Sequence, residues 1–249
     1  MATHFARGIL SDSHPLSVRL PAAIHHAARQ LPEHRRTRYL ASRALLAELM
    51  FMLYGISELP EIRSQANGKP AFSDPELPRF SMAYTGNIVG VALTTEGDCG
   101  LDMELQHSLG SVHSLHPPEH YRFSSNENLW INNQNDPHEA RVQLVALRQS
   151  VLKMAGYFEQ DSPGLLQLLP GSGRLRVANV MQAEAICDAE DVLVWSVAAS
   201  PAIEKLRLWE YDGKNGWSSL PDIQSRAKEP AARLMRFTSL PAEKALILN

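Results

Sequence analysis

The sequence predicts an α+β fold of two similar lobes related by pseudo-twofold symmetry, each a small antiparallel sheet packed on a long helix. Three observations carry that prediction. A helical pattern begins near Glu33 and another near Pro137, and each stops at a glycine, Gly55 and Gly156. Turn residues and short β-favouring runs follow each helix. The order helix, turn, strands therefore occurs once before Leu109 and once after it, a weak internal repeat. The expected division is 1–108 for the first lobe and 109–249 for the second, fused as one unit around a cleft.

Residues 1–30 mix short apolar runs with Pro15 and Pro21 and predict no element. In the first helix Leu40, Ala44, Leu45, Leu49 and Met52 recur at helical spacing. Asn67-Gly68-Lys69-Pro70 is turn chemistry that joins two short strands. Arg79–Tyr84 and Ile88–Leu93, around Thr85-Gly86-Asn87, read as a hairpin, and Cys99–Leu105 as a third strand. From Leu109 to Pro137 the pattern dissolves into His, Pro, Ser and Asn, which predicts a long irregular connection. The second helix runs to Ala155, and Arg174–Val177 and Val192–Ala198 are strand-like. The stretch from Ser200 to Asn249, with Trp209 and Trp217, is left unassigned.

Composition excludes several classes without naming a function. At 249 residues, 44% of them hydrophobic, the chain has the length and apolar content of a globular protein rather than a disordered or fibrous one. No run approaches the ~18 apolar residues of a membrane helix, and the N-terminus lacks the apolar core of a secretory signal. A net charge of −3 argues against general nucleic-acid binding, and two cysteines make neither a disulfide framework nor a zinc spacing. The ten histidines are scattered without ligand spacing. The expectation is a cytoplasmic protein, monomeric because its symmetry is internal, with neither nucleic acid nor membrane as partner.

Four groups of residues point to chemistry. Asp102 and Glu104 are two apart, so on a strand they share a face, where their repulsion favours a hard cation such as Mg²⁺ between them. A solvated strand edge would look the same. Lys69, between Gly68 and Pro70, presents an ammonium from a rigid turn, as a phosphate site or as a plain turn. Arg35, Arg36, Arg38 and Arg43 crowd the first helix, able to grip phosphate or simply to lie on a solvated face. Gln149 and Lys153 are four apart, hence neighbours on the second helix, on a stripe with Val142, Val145 and Leu152 that is otherwise structural.

The order of these pieces resembles the 4′-phosphopantetheinyl transferases of the larger, pseudo-dimeric type, the surfactin-synthetase-activating and second holo-acyl-carrier-protein synthase group. The resemblance rests on Arg38–Leu46, Asn67–Phe72, Phe80–Gly86, Gly100–Glu104, Phe123–Glu127 and Leu152-Lys153. It implies Mg²⁺-dependent transfer of the 4′-phosphopantetheine arm of coenzyme A to a serine of an acyl or peptidyl carrier protein, releasing 3′,5′-ADP. By the same resemblance Arg38 meets the 3′-phosphate, with Arg43, Lys69, Tyr84 and Thr85 in the binding set. Asp102 and Glu104 hold the metal, and Lys153 lies on the pyrophosphate. Three motif positions depart from the family, the tryptophan of its second helix being Val145 here. Its Ser-His-Ser is Ala83-Tyr84-Thr85 here, and its helix glutamate is Gln149, which offers a carbonyl oxygen but accepts no proton at neutral pH. Glu127 is then the candidate base. The alternative is a catalytically impaired relative that binds a carrier protein or a partner enzyme.

Overall fold

The computed structural model describes residues 2–10, 17–106, 122–157, 164–228 and 233–240. The first stretch of chain supplies β1 (Thr3–Ile9), α1 (Ala22–Arg29), α2 (Glu33–Tyr54), β2 (Ile62–Ser64), β3 (Pro70–Phe72), β4 (Arg79–Thr85), β5 (Ile88–Thr94) and β6 (Asp98–Leu105). Next come α3 (Ser125–Asn132), α4 (Pro137–Ala155), β7 (Leu166–Leu169), β8 (Arg174–Val177), β9 (Glu184–Ala189) and β10 (Leu193–Ser200). The last elements are β11 (Leu206–Asp212), β12 (Gly216–Ser219), α5 (Ile223–Arg226) and β13 (Met235–Ser239).

Both long helices begin and end where their local chemistry dictates. Glu33 puts negative charge in the first turn of α2, and Gly55 closes it at φ +70°. Asp136 caps α4 by accepting the Glu139 N–H at 3.1 Å, Pro137 starts it, and Gly156 ends it at φ +80°. The predicted helices and hairpin are thus present. Between Leu109 and Pro137 the expectation of an irregular connection fails at Ser125–Asn132. Ser124 and Glu127 form a reciprocal capping box there and start α3. The rest of that connection, 107–121, lies outside the described residues.

The strands form two large sheets, ordered β12-β11-β1-β5-β4 and β6-β10-β9-β13-β8-β7, plus the β2-β3 hairpin. One apolar cluster joins α2 to the first sheet, through Leu46, Leu49 and Met50 against Val89, Val91 and Leu93. A second joins α4 to the other sheet, through Leu144, Leu147 and Val151 against Val194 and Ala198. The third lies between the sheets, where Phe5 and Ala92 meet Leu101, Trp195 and Val197. The layering is helix, sheet, sheet, helix, an α+β arrangement. Strand β6 joins the second sheet by pairing with β10, and β11 joins the first by pairing in parallel with β1. The stretch from Ser200 onward thus contributes β11, β12, α5 and β13. Among the described residues no helix is long and apolar enough to cross a membrane.

His4, only 7% exposed on β1, accepts a hydrogen bond at Nδ1 from the Trp209 indole N–H at 3.1 Å. Burial, with a smaller push from Arg207, lowers its imidazole from 6.5 to about 4. The unfolded chain therefore binds this proton at a pH where the fold still refuses it. The contribution to stability is intact above pH 6.5 and is lost as pH falls towards about 4. The slope approaches ~1.4 kcal/mol per pH unit. His4→Asn keeps an acceptor near the indole but does not titrate. Its thermal midpoint is expected to depend less on pH across that window than the parent's, and parallel curves would refute the assignment.

Candidate active site at the seam of the two sheets

β4 is an edge strand of the first sheet and β6 of the second, and the two edges lie side by side. The Leu101 N–H donates to Ser81 Oγ across this seam at 3.1 Å. Lys153, from the last turn of α4, donates from Nζ to the Leu101 carbonyl at 2.9 Å and the Met82 carbonyl at 3.3 Å. Because Leu101 and Met103 point into the core between the sheets, strand alternation turns Asp102 and Glu104 towards α4. Ser196, opposite Asp102 in register, shares a 2.8 Å hydrogen bond with Ser150 of α4. The sequence expectation brought Asp102, Glu104 and Lys153 together only through a resemblance. Here backbone geometry does so.

Asp102 Oδ2 is buried and, among the described residues, has no hydrogen-bond partner. Burial above all, then the negative charge of Glu104, holds the Asp102 carboxyl well above the usual carboxylate range, and Lys153 offsets part of that. An unmet oxygen in a carboxylate pair is a donor set that suits Mg²⁺, which takes one or two carboxylates and completes its shell with water or phosphate oxygens. Among the described residues no cluster of three or more His, Cys, Asp and Glu exists, so the pair has no third such ligand. Gln149, half-buried, stands one turn before Lys153.

Across the seam Arg38 of α2 stacks its guanidinium 4.6 Å from the centre of the Tyr84 ring, which is 52% exposed. Thr85 is half-buried at the end of β4. Arg43 of the expected binding set, and Arg36 of the same arginine cluster, are engaged elsewhere. Arg43 stacks 3.5 Å from the centre of the Tyr39 ring on its own helix, and burial lowers its pKa. Arg36 donates to the Ala28 and Leu31 carbonyls, both at 3.2 Å, tying α1 to α2.

Lys69 does not present its ammonium to solvent from the turn, as was expected. It is 3% exposed, ion-paired with Asp98, and donates to the Cys99 carbonyl at 2.7 Å and the Met154 carbonyl at 3.5 Å. An ammonium has three donors, and all three are used. Glu127 is likewise committed. At 1% exposure it accepts from Ser124 N–H at 3.0 Å and from Arg148 at 2.9 Å. Its neighbourhood is a cavity of about 730 Å³ lined by Arg122, Arg148, Gln167 and Arg176, and not by Asp102, Glu104 or Lys153. Sequence reasoning missed Asp98, Ser150 and Ser196. Only the Gly97-Asp98 turn was visible, and its pairing with a lysine 29 residues away is a product of the fold.

No family model matches the chain. The uncharacterized protein YieE of Escherichia coli strain K12 is 63% identical over 249 residues, all of both chains. The 4′-phosphopantetheinyl transferase AcpT of the same strain is 40% identical over 87 residues, 34% of this chain and 40% of AcpT. AcpT of Salmonella typhi is 35% identical over 71 residues, 28% of this chain and 34% of that one. Both partial matches are to proteins named 4′-phosphopantetheinyl transferase, and neither covers more than 34% of this chain. Identity along its whole length means that the chain belongs to the family of the uncharacterized protein YieE.

Proposed function

We propose that the chain is a 4′-phosphopantetheinyl transferase of the larger, two-lobed type. It moves the 4′-phosphopantetheine arm of coenzyme A onto a carrier-protein serine and releases 3′,5′-ADP. The observation that carries this reading is the seam, where a carboxylate pair with an unmet buried oxygen sits beside an ammonium. In the transfer the serine oxygen bonds to the phosphorus of the arm, the P–O bond to 3′,5′-ADP breaks with its electron pair leaving on the ADP oxygen, and the serine proton passes to solvent water. Lys153, with two donors on carbonyls, has one left for a pyrophosphate oxygen. Arg38, held over Tyr84, meets the 3′-phosphate. Asp102 and Glu104 would hold Mg²⁺, which when bound would neutralise charge on the pyrophosphate. Glu127, tied to Arg148 and Ser124, holds α3 in place rather than acting as base.

The same proposal takes 1–108 and 109–249 as lobes in a cytoplasmic monomer. What supports two lobes is one sheet on α2 and another on α4, although the sheets exchange strands across residue 108: β6 pairs into the second, and β11 and β12 into the first. Incubation with coenzyme A, Mg²⁺ and a panel of apo carrier proteins is expected to add one phosphopantetheine arm to a carrier, read by intact mass. No gain on any carrier sinks the transferase. Coenzyme A binding without transfer, relieved by Gln149→Glu with Tyr84→His, would instead mark an impaired relative.

A further inference from the structure

Lys69 is buried at a junction of three elements. The turn that carries it is closed on itself, with Gln65 N–H donating to the Lys69 carbonyl and Lys69 N–H to Asn67 Oδ1, at 2.9 and 3.0 Å. The Asn67 side chain lies against the glycine that ends α4, so closely that a Cβ on Gly156 would sit 2.1 Å from Asn67 Nδ2. From this turn the ammonium reaches the first residues of β6, through Asp98 and the Cys99 carbonyl, and the last turn of α4, through the Met154 carbonyl. Asp98 in turn accepts the Cys99 N–H at 2.8 Å. A few residues along the same two elements stand Asp102 and Glu104 on β6 and Lys153 on α4.

We propose that Lys69 is a positioning residue. By pinning the start of β6 to the end of α4 it sets the Asp102–Glu104 carboxylate pair against Lys153, and it makes no contact with coenzyme A. This rests on the transferase reading for its kinetic consequence, but its metal-binding consequence stands apart. The linkage predicts that Asp98→Asn, which removes the charged partner of Lys69, behaves like Lys69→Met. A lysine that served phosphate would instead be released by Asp98→Asn and would bind coenzyme A at least as well.

Both variants and the parent are compared by Mn²⁺ uptake, followed by electron paramagnetic resonance with and without coenzyme A, and by steady-state transfer. The expected result is a tenfold or greater weakening of Mn²⁺ binding in both variants. In transfer both are expected to lose at least tenfold in kcat, with KM for coenzyme A within about twofold of the parent. Lys69→Met raising that KM tenfold while Asp98→Asn does not would overturn the proposal, as would unchanged Mn²⁺ binding in both. If Lys69→Met does not fold, Asp98→Asn alone carries the test. A parent that binds Mn²⁺ but transfers nothing counts against the transferase and leaves the positioning role standing. A parent that takes up no Mn²⁺ in either state overturns the positioning role.

Discussion

Asp102→Asn is expected to move activity and stability in opposite directions. On the transferase reading the substitution removes one of two charges that hold the metal against the pyrophosphate, and the rate of transfer should fall at least a hundredfold, on the order of 3 kcal/mol. Yet the carboxylate it removes is poorly accommodated: among the described residues one oxygen is buried without a partner, and the Glu104 charge adjoins it. A buried polar atom left unpaired costs about 1–3 kcal/mol. The neutral amide ends the repulsion and can donate to Glu104. The folded chain should therefore gain about 1–2 kcal/mol, measured by urea unfolding without added divalent ion. A stability-lowering residue of this kind is what a functional site leaves behind. Loss of stability together with retained transfer would show that Asp102 is an ordinary structural carboxylate.

The parts of the fold that the sequence made legible are those decided by short-range chemistry. Gly55 and Gly156 end α2 and α4 because both adopt the left-handed backbone that glycine takes without strain. The hairpin of β4 and β5 follows from β-favouring runs around Gly86, itself at φ +55°. By contrast α3 depends on a reciprocal pair, Ser124 with Glu127, embedded in a polar stretch whose composition alone suggested irregular chain. The parallel pairing of β1 with β11 joins Thr3 to Leu206 and leaves no local trace in either segment.

The site divides along the same line. That Asp102 and Glu104 share a face was available from strand alternation. That Lys153 stands beside them, bonded to the Leu101 carbonyl, depends on α4 crossing β6 at one register. Lys69 shows the limit most clearly. A Gly-Lys-Pro turn suggests an exposed ammonium, and nothing within that turn announces that Asp98, Cys99 and Met154 will close over it. Exposure is a property of the assembled fold, and the two readings of the same motif, phosphate ligand and buried clamp, differ only in that property.

The crossing of α4 over β6 is itself held by one residue without a side chain, and Gly100→Ala is the substitution expected to damage the fold most. A Cβ on Gly100 would stand 2.0 Å from the Ser150 carbonyl oxygen and 2.5 Å from Met154 N, both main-chain atoms of α4. Neither can rotate away, so the helix must move off the strand. That movement stretches the Lys153 hydrogen bond to Leu101, the Lys69 hydrogen bond to Met154 and the Ser150–Ser196 pair together. Overpacking of a core typically costs 1–3 kcal/mol, and a backbone clash shared by several contacts belongs at or above about 3. For a chain of this size that lowers the thermal midpoint by roughly 6–12 °C. Gly164→Ala is the control, since a Cβ there meets nothing within 4 Å among the described residues; its midpoint should stay close to the parent's. On the transferase reading, transfer by any folded Gly100→Ala protein should fall with the displacement of Lys153 from Asp102. A midpoint for Gly100→Ala within about 2 °C of the parent would mean that α4 and β6 are not in the close contact on which the seam, and the chemistry proposed for it, depend.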